Sequence, residues 1–158
     1  MMKQEVTTVS RLSVALMVLT SIHHAYGAII YNTPWRLHIL MISVPVIIFT
    51  GVFYYRVLKK GIRTRSVFFG VYLVLTLVAS VALIGLFEGV YNHLLKNALF
   101  YTGASHQILI ALFPPPTYEM PNDFWFEFTG VLQGIVAIPL TLSFVRLIRG
   151  LWVGDRKD

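Results

Sequence analysis

Four long apolar runs constrain the fold of this chain more than any other feature of its sequence. They cover residues 12–30, 37–58, 67–87 and 128–148. Each is about 20 residues long, enough to cross the roughly 30 Å hydrocarbon core of a bilayer as a helix. A backbone inside lipid must satisfy its own hydrogen bonds, so such runs predict helices and exclude a membrane barrel, whose strands are short and alternating. We therefore predict an all-α integral membrane protein, a four-helix bundle forming a single domain over residues 1–158.

The basic residues predict the orientation of this domain. Eleven of the thirteen lysines and arginines precede the first run, separate the second from the third, or follow the fourth. Only Arg36 and Lys96 are left for the opposite side. The positive-inside rule then places both termini in the cytoplasm, in a bacterial-type inner (plasma) membrane. Because topology accounts for the net charge of +6, and no basic stripe with stacking aromatics occurs, the charge does not indicate a nucleic-acid partner.

A cleaved signal peptide is the alternative reading of residues 1–27. Lys3 and Arg11, the stretch LSVALMVLT and the small residues of AYGA resemble such a peptide with cleavage after Gly27. Against this reading, the apolar run continues to Ile30 and two histidines lie just before the supposed cleavage site. Cleavage would leave three spans and the same orientation for the rest of the chain.

Several kinds of chemistry are excluded by the sequence. The chain has no cysteine, which removes disulfides, thiolate metal ligands and cysteine nucleophiles. It also lacks phosphate-binding loops of the P-loop or Rossmann type and the GxSxG motif of serine hydrolases.

Histidines and carboxylates converge near one face of the predicted membrane. Ionisable groups at this depth are costly unless they pair, coordinate a metal or meet water. Helical periodicity turns His24 and Glu127 toward the bundle, places His23 about 100° away from His24, and leaves His38 in the set by depth alone. The predicted metal ligands are His24, His38, Glu88, His93 and Glu127, with His23, Asn92 and Asp123 as possible additions.

Imidazole and carboxylate ligands without thiolate suit Zn, Fe, Mn or Cu(II). The spacing matches no known signature, because Glu88 and His93 are five residues apart whereas di-iron helical bundles use Glu-x-x-His. The metal hypothesis therefore depends on convergence alone. We expect the long outer loop from Glu88 to Asp123, with its proline-rich PPPTYEMPND stretch, to act as a lid.

Three classes of function agree with these features. The first is a metal-dependent membrane enzyme, such as an oxidoreductase acting on a lipid or another hydrophobic small molecule. The second is a b-type haem protein with His24 and His38 as axial ligands. The third is a non-catalytic transport or assembly subunit, and any of the three can form an oligomer. The same side chains would otherwise be interfacial anchors, as aromatic residues near membrane boundaries often are.

The predicted topology is directly testable because the chain contains no cysteine of its own. Cysteines introduced by Gly61→Cys and Thr117→Cys should react with a membrane-impermeant thiol reagent from opposite sides of the membrane. Labelling of both from the same side would contradict the four-span arrangement.

Overall fold

A computed structural model describes residues 2–62, 64, 66–115 and 117–154, without the side chains of residues 153 and 154. Within these residues the chain is helical throughout its regular parts, and four of its helices are long and apolar enough to cross a membrane. This confirms the prediction of a helical membrane protein with four candidate spans. The helices are α1 (Met2–Ile30), α2 (Leu40–Lys60, entered through a 3-10 turn at Pro34–Ile39), α3 (Val67–Tyr101), α4 (His106–Leu112) and α5 (Phe124–Gly154).

The third helix is longer than its apolar run. The predicted span ended at Phe87 and the loop was expected to begin at Glu88, but α3 continues to Tyr101. The expected loop boundary is therefore wrong, and the connection to α5 covers only residues 102–123, with the short helix α4 inside it. The added turns of α3 place the polar residues from Glu88 to Lys96 on a helix and not in a loop, so the helix defines where their side chains point.

The central part of α3 is wound more loosely than an α-helix. Between Thr76 and Leu95 its backbone hydrogen bonds join residues five apart, the pattern of a π-helix. Such a helix has about 4.4 residues per turn, so residues four or five apart share a face. Five of the nine buried residues of this segment follow that spacing: Thr76, Ser80, Gly85, Gly89 and His93.

Long helices that follow one another in the sequence run in opposite directions. At one end of the molecule, here called the basic end, Glu5 lies 4.0 Å from Arg146 and α2 finishes at Lys59 and Lys60. The other end, here called the histidine end, carries His23, His24 and His93. Hydroxyl pairs also join the helices across the apolar core: Ser10 with Tyr72 at 3.0 Å, Ser13 with Ser80 at 2.6 Å and Ser21 with Ser43 at 2.8 Å.

Helices α3 and α5 approach each other most closely, and they do so at glycines. A Cβ atom on Gly89 would collide with the backbone of Gly134, and one on Gly85 would lie 2.9 Å from the Cβ of Ala137. Small residues of this kind let helix backbones come together in a membrane, where van der Waals packing replaces the hydrophobic effect as the driving force. This contact holds the two helices that carry most of the polar residues of the histidine end.

The tight contact predicts a contrast between two glycines of the same helix. Gly89→Ala should destabilise the protein by about 1–3 kcal/mol, because the added methyl group must push two backbones apart. Gly70→Ala is the matched control, since nothing lies within 4 Å of the position of its Cβ. Thermal unfolding in detergent should show a lower Tm for the first variant alone, and equal Tm values would argue against close packing at Gly89.

Candidate metal centre

Three imidazoles surround one carboxylate oxygen at the histidine end. The Nε2 atoms of His23, His24 and His93 lie 3.8, 3.4 and 3.6 Å from Oε1 of Glu88. We call these four residues the histidine cluster. Two ligands bound to one tetrahedral ion at about 2.0–2.2 Å are about 3.4 Å apart, close to the 3.4–3.8 Å that separate these nitrogens from Oε1. One ligand atom each of His23, Glu88 and His93 also lies within 4.8 Å of the other two, so these three could share a metal ion, and His24 adds a further contact with Glu88.

The other ring nitrogen of His93 is held from behind. Its Nδ1 lies 3.1 Å from Oε2 of Glu127, and Oε1 of Glu127 accepts a hydrogen bond of 3.2 Å from Nζ of Lys96. A carboxylate paired with a lysine accepts hydrogen bonds, so the proton of a neutral His93 is on Nδ1. The lone pair on Nε2 then points at Glu88.

A hydroxyl orients His23 in the same way. Nδ1 of His23 lies 2.9 Å from Oγ1 of Thr129, and this hydroxyl donates to the backbone oxygens of Trp125, at 2.8 Å, and Phe126, at 3.1 Å. A hydroxyl has a single proton to donate, so towards His23 it acts as an acceptor. The proton of His23 is therefore on Nδ1, and its Nε2 lone pair also faces Glu88.

The result is that the Nε2 lone pairs of His23 and His93 face a carboxylate oxygen, and the single N–H of a neutral His24 can serve only one of these three acceptors. Among the described residues, Nε2 of His23 and both ring nitrogens of His24 are buried without a hydrogen-bond partner. Oε2 of Glu88 accepts a bond of 2.9 Å from Asn92, which leaves Oε1 for the imidazoles. Two lone pairs and a carboxylate oxygen facing one another in a buried site are costly unless a cation lies between them.

Both histidines of the adjacent pair are buried because α1 contacts all three other long helices. His23 faces α5, where its ring stacks on Phe126 with centroids 4.2 Å apart, and His24 faces α3. A helix with a single buried face would bury only one of two consecutive residues. His23, which helical periodicity placed about 100° from His24 and left open to a neighbouring helix, the membrane interface or a partner, is fully buried against the neighbouring helix α5.

The five predicted ligands do not all meet. His24, Glu88 and His93 lie in the histidine cluster, and Glu127 lies directly behind His93. His38 does not join them: it is exposed on the 3-10 turn, and its Nδ1 donates to the backbone oxygen of Trp35 at 2.6 Å.

Of the three possible additions, His23 belongs to the cluster and Asn92 supports it by bonding to Glu88. Asp123 has a different role, because its Oδ1 accepts the backbone N–H of Phe126 at 2.8 Å and so caps the start of α5. It also accepts a hydrogen bond of 3.3 Å from the hydroxyl of Tyr26.

Sequence reasoning missed two residues that support the site. Lys96 is 2% exposed and neutralises Glu127, although it fell within the expected outer loop. Thr129 orients His23. Gly130, which shares a helix face with Glu127 and was expected to allow close helix packing, lies against the His93 imidazole with no room for a Cβ atom. A usable signal was present in LLKNALF, an apolar stretch around Lys96 that extends the third span, and in the spacing of Thr129 and Gly130 from Glu127.

A cavity of about 320 Å³ adjoins the histidine cluster, and the end of the α4–α5 connection covers it. Residues 117–123 of that connection, here called the cover loop, are tied down by Lys96, whose Nζ donates to the backbone oxygen of Glu119 at 2.6 Å. The hydroxyl of Tyr31 donates to Oδ1 of Asn122 at 2.5 Å. Burial, reinforced by nearby carboxylates, raises the pKa of Tyr31, so the phenol keeps this proton at neutral pH.

Comparison with protein-family models, with curated proteins and with solved structures finds no match to this chain. The structure itself therefore defines the class of protein. It is a helical protein with four candidate membrane spans and a buried histidine–glutamate group able to hold a metal ion.

The hydrogen bonds around the cluster predict the tautomers of two histidines. At pH 8, nitrogen NMR of ¹⁵N-histidine-labelled protein should show His23 and His93 protonated on Nδ1 and not on Nε2. His23→Gln and His93→Gln assign the signals. Thr129→Val should abolish the preference for a proton on Nδ1 in His23 but not in His93. A proton on Nε2 of either residue would contradict the orientation described here.

Proposed function

We propose that this chain is a metal-dependent integral membrane protein in which His23, His24, Glu88 and His93 bind one divalent transition-metal ion. The observation that carries this proposal is the convergence of three Nε2 atoms on Oε1 of Glu88 at 3.4–3.8 Å. We further propose that the four spans form a single four-helix domain with cytoplasmic termini, as the distribution of basic residues indicates. In the inner membrane this would place the centre in the outer leaflet.

The ligand set narrows the choice of metal. Three imidazoles and one carboxylate, with no thiolate in the chain, suit Zn, Fe, Mn or Cu(II). The hydrogen bonds from His93 to Glu127 and from His23 to Thr129 are the outer contacts that metal-bound histidines usually make. They would fix each ring and raise the basicity of its ligating nitrogen.

Haem is less well supported than a bare ion. The ring centroids of His23 and His93 are 4.7 Å apart and those of His23 and His24 are 5.3 Å apart, in edge-to-face contact. A haem bound between two histidines would need a flat slot between the rings. The pair proposed from the sequence also loses support, because His38 lies exposed on the 3-10 turn.

The position of the cavity favours a metal that meets a substrate. The cavity lies next to His24, Glu88 and His93, so it offers a substrate access to the cluster. Towards the basic end the core contains buried apolar side chains such as Leu16 and Leu140, together with the hydroxyl pair of Ser13 and Ser80.

A metal that expands to take a fifth ligand from this cavity could act as a Lewis acid or, for iron, manganese or copper, as a redox centre. The chain's own residues would keep the imidazole ligands neutral, limit the access of bulk water beside the cover loop and bind the substrate against apolar helix surface. We therefore propose catalysis on a hydrophobic molecule, with an oxidoreductase as the expected class if the bound metal is redox-active.

Metal analysis of purified protein tests the centre. The wild-type chain should carry one transition-metal ion, and His23→Gln and His93→Gln should lose it because each removes a ligand. His106→Gln is the matched control, since His106 lies exposed on α4 away from the cluster. Glu127→Gln should weaken metal binding about 10–100-fold through the orientation of His93.

The absorption spectrum of the same preparation separates the alternatives. A Soret band lost in His24→Gln would support haem instead of the proposed ion. Protein that folds with an unchanged Tm but binds no metal, or that keeps its metal in both ligand variants, would contradict the metal centre.

A further inference from the structure

The cavity beside the histidine cluster has two chemically different walls. One wall is polar and carries His24, Glu88, Arg36 and Lys96. The other is apolar and consists of Ile39 at the end of the 3-10 turn, Ile42 of α2, and Leu83, Ile84 and Phe87 of α3. An amphipathic cavity of this kind matches a ligand with a polar head and an apolar chain.

Arg36 supplies the most specific feature of the polar wall. Its side chain is 7% exposed, and Nε donates to Oγ1 of Thr33 at 2.8 Å. Nη2 is buried without a hydrogen-bond partner among the described residues, and the nearest carboxylate oxygen, Oε1 of Glu119, is 3.7 Å away. A buried guanidinium N–H without an acceptor is costly, so Nη2 of Arg36 would gain from an oxygen acceptor on a ligand.

The rings around Arg36 hold its guanidinium in place. The carbon of the guanidinium group lies 5.3, 5.1 and 5.3 Å from the ring centroids of Tyr31, Trp35 and Phe126. Lys96, the other buried cation, is already bonded to Glu119 and Glu127. Of the two buried cations on this wall, Arg36 is therefore the one with hydrogen-bonding capacity left for a ligand, and a guanidinium suits the paired oxygens of a phosphate.

The apolar wall leads to the bilayer. Near the basic end α2 and α3 are joined by aromatic contacts, with Phe53 stacked on Tyr72 at 4.0 Å between ring centroids. Towards the histidine end their side chains line the cavity instead, and Leu83 and Phe87 are 44% and 48% exposed on a surface that faces lipid. A chain lying along this seam would enter the cavity from the side, without crossing water.

We infer that the cavity binds an anionic phospholipid taken from the surrounding leaflet, with its phosphate on Arg36 and the first part of its acyl chain between Ile42 and Leu83. The bound lipid places its headgroup region beside His24 and Glu88. That this lipid is the substrate of the centre rests on the proposed function, but its binding does not require the metal.

Quenching of tryptophan fluorescence by brominated lipids tests this inference on the full chain. Trp35 lines the cavity, whereas Trp125 is 59% exposed at the same end of the molecule and does not. The double variant W125F/W152F retains only Trp35, and W35F/W152F retains only Trp125. Each is reconstituted in phosphatidylcholine vesicles that contain increasing fractions of brominated phosphatidylglycerol or brominated phosphatidylcholine.

The Trp35 protein should reach half-quenching at about a tenfold lower fraction of phosphatidylglycerol than of phosphatidylcholine, as expected for one charge-assisted contact. The Trp125 protein should give the same curve for both lipids. Arg36→Gln should remove the preference, and Leu83→Phe should reduce it by filling the seam without touching a charge. Arg56→Gln is the matched control, because Arg56 lies over Phe68 near the basic end, away from the cavity.

Three results would overturn the inference: equal curves for the two lipids at Trp35, a preference that survives Arg36→Gln, or loss of the preference when glycerol 3-phosphate is added to the buffer. The last result would identify a site for soluble phosphate esters. The preference should persist in His23→Gln, which removes a proposed metal ligand that does not line the cavity, so failure of the metal centre and failure of the lipid site are separate outcomes.

Discussion

The arrangement of the histidine end depends on the free-energy cost of placing a carboxylate among apolar helices. Glu88 lies on α3, one of four mostly apolar spans, where an isolated charge would be far less stable than in water. The chain meets this cost with groups from two helices. Three imidazoles approach one carboxylate oxygen, and Asn92 donates to the other. Behind them, Glu127 and Lys96 form a second charged pair that orients His93.

The loose winding of α3 makes this arrangement possible. On an α-helix, residues five apart point about 140° away from each other, so Glu88 and His93 could not share a ligand position. With about 4.4 residues per turn they come within about 50° of each other, and their side chains meet at 3.6 Å. Segments of π-helix occur often at functional sites, and here the change of winding is what brings a non-standard spacing into register.

Much of the fold could be predicted from the sequence, because the bilayer sets the length of each apolar run. The convergence of His24, Glu88, His93 and Glu127 was also predictable, since all four lie near the same ends of their spans. The features that could not be predicted depend on contacts between helices and on the local backbone conformation. His23 is buried because α1 contacts three helices, and Lys96 is buried because α3 continues beyond its apolar run. His38 lies outside the cluster because the chain enters α2 through a 3-10 turn.

Lys96 connects the cover loop to the histidine cluster through hydrogen bonds. Its ammonium group donates both to the backbone of the cover loop, at Glu119, and to the carboxylate that orients His93. Displacing the loop removes one of these acceptors and leaves the same positive charge to Glu127 alone. Glu127 then draws less strongly on the Nδ1 proton of His93, and the electron density on the opposite nitrogen falls. Through this one side chain, the loop that lines the cavity also sets the donor strength of the His93 imidazole, which lines the same cavity.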